Sequence, residues 1–233
     1  MSARPRHRGK RTADDVPADG SVRVSSLRPC RDDPSRVSVR VDGVLMGRLD
    51  RETCTDAGLE SGVPWTHTLD ERLGPLLARS RVLRGATRLL AARDRSSAEL
   101  ARALSRRGHT RDQIDWAIER LRERGVLDDA SYAARRARSL AASKPMGRRY
   151  MESKLRQRGL GDAEIRPAVE EALEGVDMEE SALRLARRAA ASMPNSLEHA
   201  SRIRRLSGRL ARRGFEPDLV RRVVDEVLGE TPD

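Results

Sequence analysis

The side chains able to do chemistry are few and scattered. The four histidines, His7, His67, His109 and His199, show no metal-ligand spacing among themselves or with the two cysteines, Cys30 and Cys54, which form no CxxC. No phosphate-cradling GxxxxGK[ST] loop and no GxSxG nucleophile elbow occurs. Asp128 and Asp129 are the one tempting carboxylate pair. Adjacent residues do not face each other on a helix, so they make a poor acid/base dyad, and acids in that position suit the cap of a helix that starts there. Catalysis is therefore not expected, and no cofactor or metal is called for. Positive charge is what the chain has in quantity: 47 Lys and Arg against 36 Asp and Glu, a formal net charge of +11. Only Lys10, Lys144 and Lys154 are lysines. An excess of this size favours acidic partners, either nucleic acid or an acidic protein surface. The preference for arginine over lysine has a second reading, GC-rich coding.

The charge is not spread evenly. Residues 134–158 hold nine basic side chains against the single acid Glu152, and residues 184–213 hold nine against Glu198. By contrast Glu170, Glu171 and Glu174 follow the first cluster and Asp225 and Glu226 the second, so a basic face and a more acidic face are expected. Candidate contacts to a protein partner or to DNA phosphates are Arg135, Arg138, Lys144, Arg148, Arg149, Lys154, Arg158, Arg205 and Arg209. A solvated surface is the competing reading for many of them. The aromatics are Trp65, Trp116, Tyr132, Tyr150 and Phe215, too few for a row of base-stacking platforms. Any nucleic-acid contact is thus expected to be backbone-led and sequence-tolerant. Tyr132 is expected in the core and Trp116 partly exposed.

These side chains must be held by helices that repeat. Gly108, Gly159 and Gly214 each follow a leucine four residues earlier and an arginine immediately before. After each glycine the same apolar offsets return: Ile114, Ala117, Ile118 and Leu121; Ile165, Ala168, Val169 and Ala172; Val220, Val223, Val224 and Val227. That spacing is one face of an amphipathic helix. The glycine is the left-handed residue that ends the preceding helix, and Arg107, Arg158 and Arg213 in its last turn suit the helix dipole, with partner binding as the alternative role. Ser96 with Glu99, Thr110 with Gln113, Asp177 with Glu180 and Asn195 with Glu198 have capping-box spacing, and Pro217 fits a first turn. The pattern predicts helices near 81–93, 96–107 and 110–124, then 129–143, 147–158 and 162–174, then 177–192, 195–213 and 216–228. The long middle helix of the third copy accommodates its extra residues.

The fold class is accordingly mainly α: three tandem three-helix repeats, at 80–128, 129–175 and 176–228, stacked into an elongated curved array, with monomers expected. A small α/β segment is expected at 36–79, where Val37, Val39 and Val41 alternate before the hairpin signal Asp42-Gly43, with a short helix near 51–58 and another beginning near 68–70. Residues 1–35, rich in Arg, Asp, Pro, Ser and Gly, read as a disordered basic arm, either solubilising or touching phosphates. No stretch is apolar enough to span a membrane and no secretory signal opens the chain, which together with the cysteine usage points to the cytoplasm.

The segment Gly125-Val-Leu-Asp-Asp129 with Ala130-Ser-Tyr-Ala133, then Lys144-Pro-Met-Gly147-Arg-Arg and Leu155-Arg-Gln-Arg-Gly-Leu160, resembles the hallmark of the RecX regulatory proteins. The resemblance covers roughly residues 80–228 and is most specific in the central third. Tyr150 stands where the family has an aliphatic residue, and Leu160 replaces Ile or Val. The resemblance implies three tandem three-helix repeats, no catalysis, a bacterial cytoplasmic setting, and binding to the RecA recombinase, as its filament on single-stranded DNA, to limit filament growth and strand exchange. The alternative is a stand-alone, sequence-tolerant nucleic-acid-binding module.

Overall fold

A computed structural model describes residues 11–194 and 196–229. The chain divides into two compact units: residues up to 93 together with 100–123, and residues 94–99 together with 124 onward.

The first unit opens with a four-stranded sheet of β1 (Asp19–Pro29), β2 (Arg36–Val41), β3 (Val44–Asp50) and β4 (Pro64–Thr66), in the order β3-β2-β1-β4 with every pair antiparallel. The β2–β3 hairpin turns on Asp42 and Gly43, whose φ angles of 47° and 76° are both positive, as a two-residue turn matching the strand twist requires. Val37, Val39 and Val41 point into a core with Val24, Met46, Leu49 and Trp65. Helix α1 (Arg51–Asp56) follows the hairpin, and α2 (His67–Ala92) lays Leu73 and Leu77 on the same core. At Gly47 a Cβ would stand 2.7 Å from the Leu77 carbonyl oxygen, so glycine is what lets α2 approach the strand this closely. Helix α2 also blunts the free edge of β3: Ser80 Oγ accepts from the Arg48 N–H at 3.1 Å, and Arg81 donates to the Met46 carbonyl at 2.6 Å.

Two expectations are corrected here. The disordered arm expected over residues 1–35 is ordered from 19 to 29, where β1 sits inside the sheet; residues 1–10 lie outside the described residues. A bulge between Val24 and Ser26 shifts the two-residue period, so Leu27 breaks the alternation begun by Val22 and Val24. The boundary placed at 79/80 falls inside α2, a single helix of 26 residues. Gly74 and Pro75 look like a stop, but Pro75 is exposed, leaving its ring and the carbonyl it cannot serve on the water side.

Helix α3 (Ser97–Ser105) carries Leu100 and Leu104, both fully buried, and α4 (Arg111–Glu123) buries Ile114, Ala117, Ile118 and Leu121, the four positions marked by the repeat. In the second unit, α5 (Asp129–Ser143), α6 (Arg148–Gln157) and α7 (Asp162–Leu173) enclose Tyr132, Met151, Leu155, Ile165 and Val169. Helices α8 (Met178–Ala191), α9 (His199–Arg212) and α10 (Pro217–Leu228) enclose Ala186, Leu206, Leu210, Phe215 and Val224. Eight of the nine helices predicted for the repeats are present to within a few residues; the one expected at 81–93 is the C-terminal half of α2. Helix α9 has 14 residues against 10 in α6, but begins at His199, later than expected, and the capping role expected of Asn195 lies outside the described residues.

The three glycines act alike. Gly108, Gly159 and Gly214 have φ of 85°, 82° and 79°, and the next N–H, of His109, Leu160 or Phe215, returns to the carbonyl of Leu104, Leu155 or Leu210, each at 3.4 Å. One leucine thus fills the core with its side chain and closes the helix with its carbonyl.

Candidate interaction surface

Within the second unit the chain makes the same kind of joint twice. In the first, residues 94–99 meet α5 and α6. Ser96 caps α3 reciprocally: its Oγ accepts from the Glu99 N–H at 3.1 Å, while the Glu99 carboxylate accepts from the Ser96 N–H at 3.3 Å. The Ser96 hydroxyl also donates to the Arg158 carbonyl at 2.6 Å. The Glu99 side chain is only 10% exposed. It receives Arg158 at 2.8 Å and the Tyr132 hydroxyl at 3.0 Å. Burial by itself would raise the Glu99 pKa; the Arg158 and Tyr132 hydrogen bonds, with the Ser96 N–H, overcome that and hold it at about 2. Nearby, Arg135 pairs with Asp94 at 3.3 Å, and the Asp129 carboxylate accepts from the Ser97 N–H at 2.8 Å. Asp128 caps α5 through the Ser131 N–H at 3.0 Å, as its position suggested.

In the second joint, residues 144–150 meet α8 and α9. Here the Gly147 N–H donates to the Arg213 carbonyl at 2.7 Å. The backbones touch so closely that a Cβ on Gly147 would stand 2.0 Å from the Gly214 oxygen, and one on Gly214 would stand 2.1 Å from the Tyr150 nitrogen. Beside this contact opens a cleft of about 640 Å³ on whose wall lie Lys144, Arg184, Arg188, Arg209 and Arg213, with no acid among the described residues. A second cleft of about 480 Å³ shares Arg209 and adds Arg204, Arg205 and Arg212.

The nine candidate contact residues separate into groups. Arg138 pairs with Glu171 at 2.7 Å, Arg149 with Glu216 at 2.7 Å, and Arg135 and Arg158 are paired as above. Arg158 is therefore part of the internal scaffold. Lys154 lies over the Tyr150 ring, 5.2 Å from its centre, and donates to Gln157. Lys144, Arg148, Arg205 and Arg209 are exposed, with no carboxylate partner among the described residues. Three of these four reach the two clefts; Arg148 does not line either. Arg184, Arg188 and Arg213, absent from the nine, share the larger cleft with Lys144 and Arg209. Tyr132 is buried at 6% exposure, as expected, and Trp116 is half-buried beneath Arg79, whose guanidinium is 5.3 Å from the ring centre.

Three family models match in tandem: the first three-helix domain of RecX at residues 86–121, the second at 128–169 and the third at 177–224. A regulatory protein RecX of Thermobifida fusca is 37% identical over 153 residues, covering 66% of this chain and 80% of that protein. The chain belongs to the RecX family. Another regulatory protein RecX, from Chlorobaculum tepidum, is 34% identical over 152 residues, covering 65% of this chain and 91% of the relative. Among solved structures, one of a regulatory protein RecX superposes with a TM-score of 0.65 at 18% identity, covering 88% of this chain and 99% of that one. The RecX of Lactobacillus salivarius superposes with a TM-score of 0.54 at 20% identity over 64% of this chain and 96% of that one. The RecX match begins at residue 86, inside α2, and so runs through the helix that also covers the sheet. The relatives are named as regulators, and their names describe no enzyme. Among the described residues no group of three or more His, Cys, Asp or Glu could hold a metal ion, and no helix is long and apolar enough to cross a membrane.

Proposed function

We propose that this protein binds the RecA recombinase, as its filament on single-stranded DNA, and limits its ATP hydrolysis and strand exchange without catalysing a reaction of its own. The observation that carries the reading is the tandem match of all three RecX domains over residues 86–224. The basic surface of the second and third repeats supports it. Cations with no internal partner are free to meet an acidic protein surface at no cost in broken ion pairs, and opposite charge speeds docking. Lys144, Arg148, Arg205 and Arg209 are the foremost contacts. Arg135, Arg138 and Arg149 are exposed enough to exchange an internal partner for an external one, and half-buried Lys154 can turn from Gln157; Arg158 instead ties Glu99 to α6. The protein acts as a monomer in the cytoplasm.

The test is binding to RecA filaments assembled on surface-tethered single-stranded DNA, followed as the protein is titrated over them. The wild type is expected to bind saturably, and a K144Q/R148Q/R205Q variant to bind at least tenfold more weakly. Binding no tighter to the filament than to RecA-free surface would contradict the reading.

A further inference from the structure

The two joints of the second unit are built alike, yet only in the first do acids of the entering segment meet both equivalent arginines. Their equivalence is structural: at each, the residue twelve before a cap glycine, Ser96 or Gly147, donates to the carbonyl just before the next cap glycine, Arg158 or Arg213. Helices α5 and α8 match as well, because Asp128 and Asp177 cap them and Arg135 and Arg184 each follow seven residues later. In the first joint the two arginines have carboxylates: Asp94 takes Arg135 and Glu99 takes Arg158. Fourteen and nine residues before Gly159, where Asp94 and Glu99 stand before Gly108, the second joint has Pro145 and Tyr150.

The second joint has the two arginines and lacks the two acids. Arg213 has no carboxylate partner among the described residues, and Arg184 has only Glu180 on its own helix at 3.9 Å, with both side chains about two-thirds exposed. Pro145 lies on the wall of the cleft and Tyr150 packs against Gly214 beside Arg213; Lys144, Arg188 and Arg209 add further positive charge to the same cleft. Five cations facing one cleft repel one another, and the arrangement is relieved by an anion from outside.

We infer that the cleft between residues 141–145, α8 and α9 is a binding site for the phosphate groups of single-stranded nucleic acid, occupying the place that Asp94 and Glu99 fill in the first joint. A polyphosphate strand fits better than an acidic peptide for two reasons. The cations form a row: Arg205 and Arg209 stand four residues apart on α9 and Arg213 follows at its cap, so the row runs about 12 Å and joins both clefts. The cleft walls otherwise carry small and aliphatic side chains, among them Ala141, Ser143, Val176, Leu185 and Met193; among the described residues no aromatic lines them to anchor a peptide and no acid lines them to repel a sugar-phosphate backbone. The site does not rest on the recombinase reading, since it requires only DNA.

The test measures binding of fluorescein-labelled dT30 by anisotropy, without RecA, across a salt series. Three variants are compared with the wild type, each checked for helical content: R184Q/R188Q/R213Q in the cleft; R111Q/R166Q/R221Q, which removes the same charge from exposed sites elsewhere; and Y150E, which writes the first joint's acid into the second. The cleft variant is expected to bind at least tenfold more weakly and to lose about 2 from the slope of log affinity against log salt. Y150E is expected to lose most of the binding, while the control changes less than about threefold. Equal losses in the cleft and control variants would overturn the inference, as would a poly-glutamate peptide that binds the cleft as tightly as dT30. Inhibition of RecA is measured on the same proteins. A cleft variant that loses dT30 but still inhibits RecA supports the inference and leaves the RecA reading standing; one that keeps dT30 overturns the inference whatever it does to RecA.

Discussion

Replacing Glu99 by Gln tests the electrostatics of the first joint. Glutamine keeps an oxygen that can accept from the Ser96 N–H, so the helix cap survives and the lost element is the charge facing Arg158 and Tyr132. The ordinary value of 4.5 falls to about 2 in the fold, which corresponds to about 3 kcal/mol of folding free energy at neutral pH. Breaking a fully buried pair costs about 3–5 kcal/mol. Arg158 is 36% exposed and can rehydrate when its partner is neutral, which places the loss at the lower end, about 2–3 kcal/mol. The dependence on pH has a definite sign. Because the folded-state value lies below the ordinary one, the contribution is complete above about pH 4.5 and is withdrawn as the pH falls toward 2. Urea unfolding followed by circular dichroism at pH 7 and pH 3 reads both effects. Wild type should exceed E99Q by about 2–3 kcal/mol at pH 7, and the gap should shrink to about 1 kcal/mol at pH 3. A gap below about 0.5 kcal/mol at pH 7, or one that does not narrow in acid, would refute the reasoning.

Two further perturbations separate the forces holding the fold. Gly108→Ala meets open space and carries only the left-handed backbone penalty of about 1–2 kcal/mol, whereas Gly214→Ala adds a Cβ 2.1 Å from the Tyr150 nitrogen and should cost at least about 3 kcal/mol. Thermal unfolding of the two proteins side by side checks the order, and equal losses would remove the close-approach argument. Ser80→Ala leaves the Arg48 N–H at the covered edge of β3 without its acceptor and should cost about 1–3 kcal/mol, read by urea unfolding; an unchanged midpoint would mean that water replaces the hydroxyl at no loss.

What was legible in the sequence was local. A cap glycine needs its left-handed backbone wherever the chain folds, so Gly108, Gly159 and Gly214 announced three helix ends, and the apolar offsets behind them announced the helices that follow. The Asp42-Gly43 turn was legible for the same reason. Strand β1 was not, because a bulge after Val24 shifts the alternation by one residue, nor was the continuity of α2, which carries Gly74 and Pro75 in its interior. The basic surface was visible as composition, but not the division of labour within it. That Arg158 meets Glu99 across 59 residues, while Arg213 meets no acid among the described residues, is decided by packing. The signal that could have separated them was nevertheless present: set against the cap glycines, the acids of one repeat face proline and tyrosine in the next.

The most direct measurement of the central claim is RecA's ATP hydrolysis on single-stranded DNA with this protein titrated in. The account predicts a dose-dependent fall in rate, reached at or below stoichiometric amounts over RecA, with wild type acting at lower concentration than the K144Q/R148Q/R205Q variant. A rate that stays unchanged at stoichiometric protein, under salt conditions where the chain is folded and soluble, would contradict it.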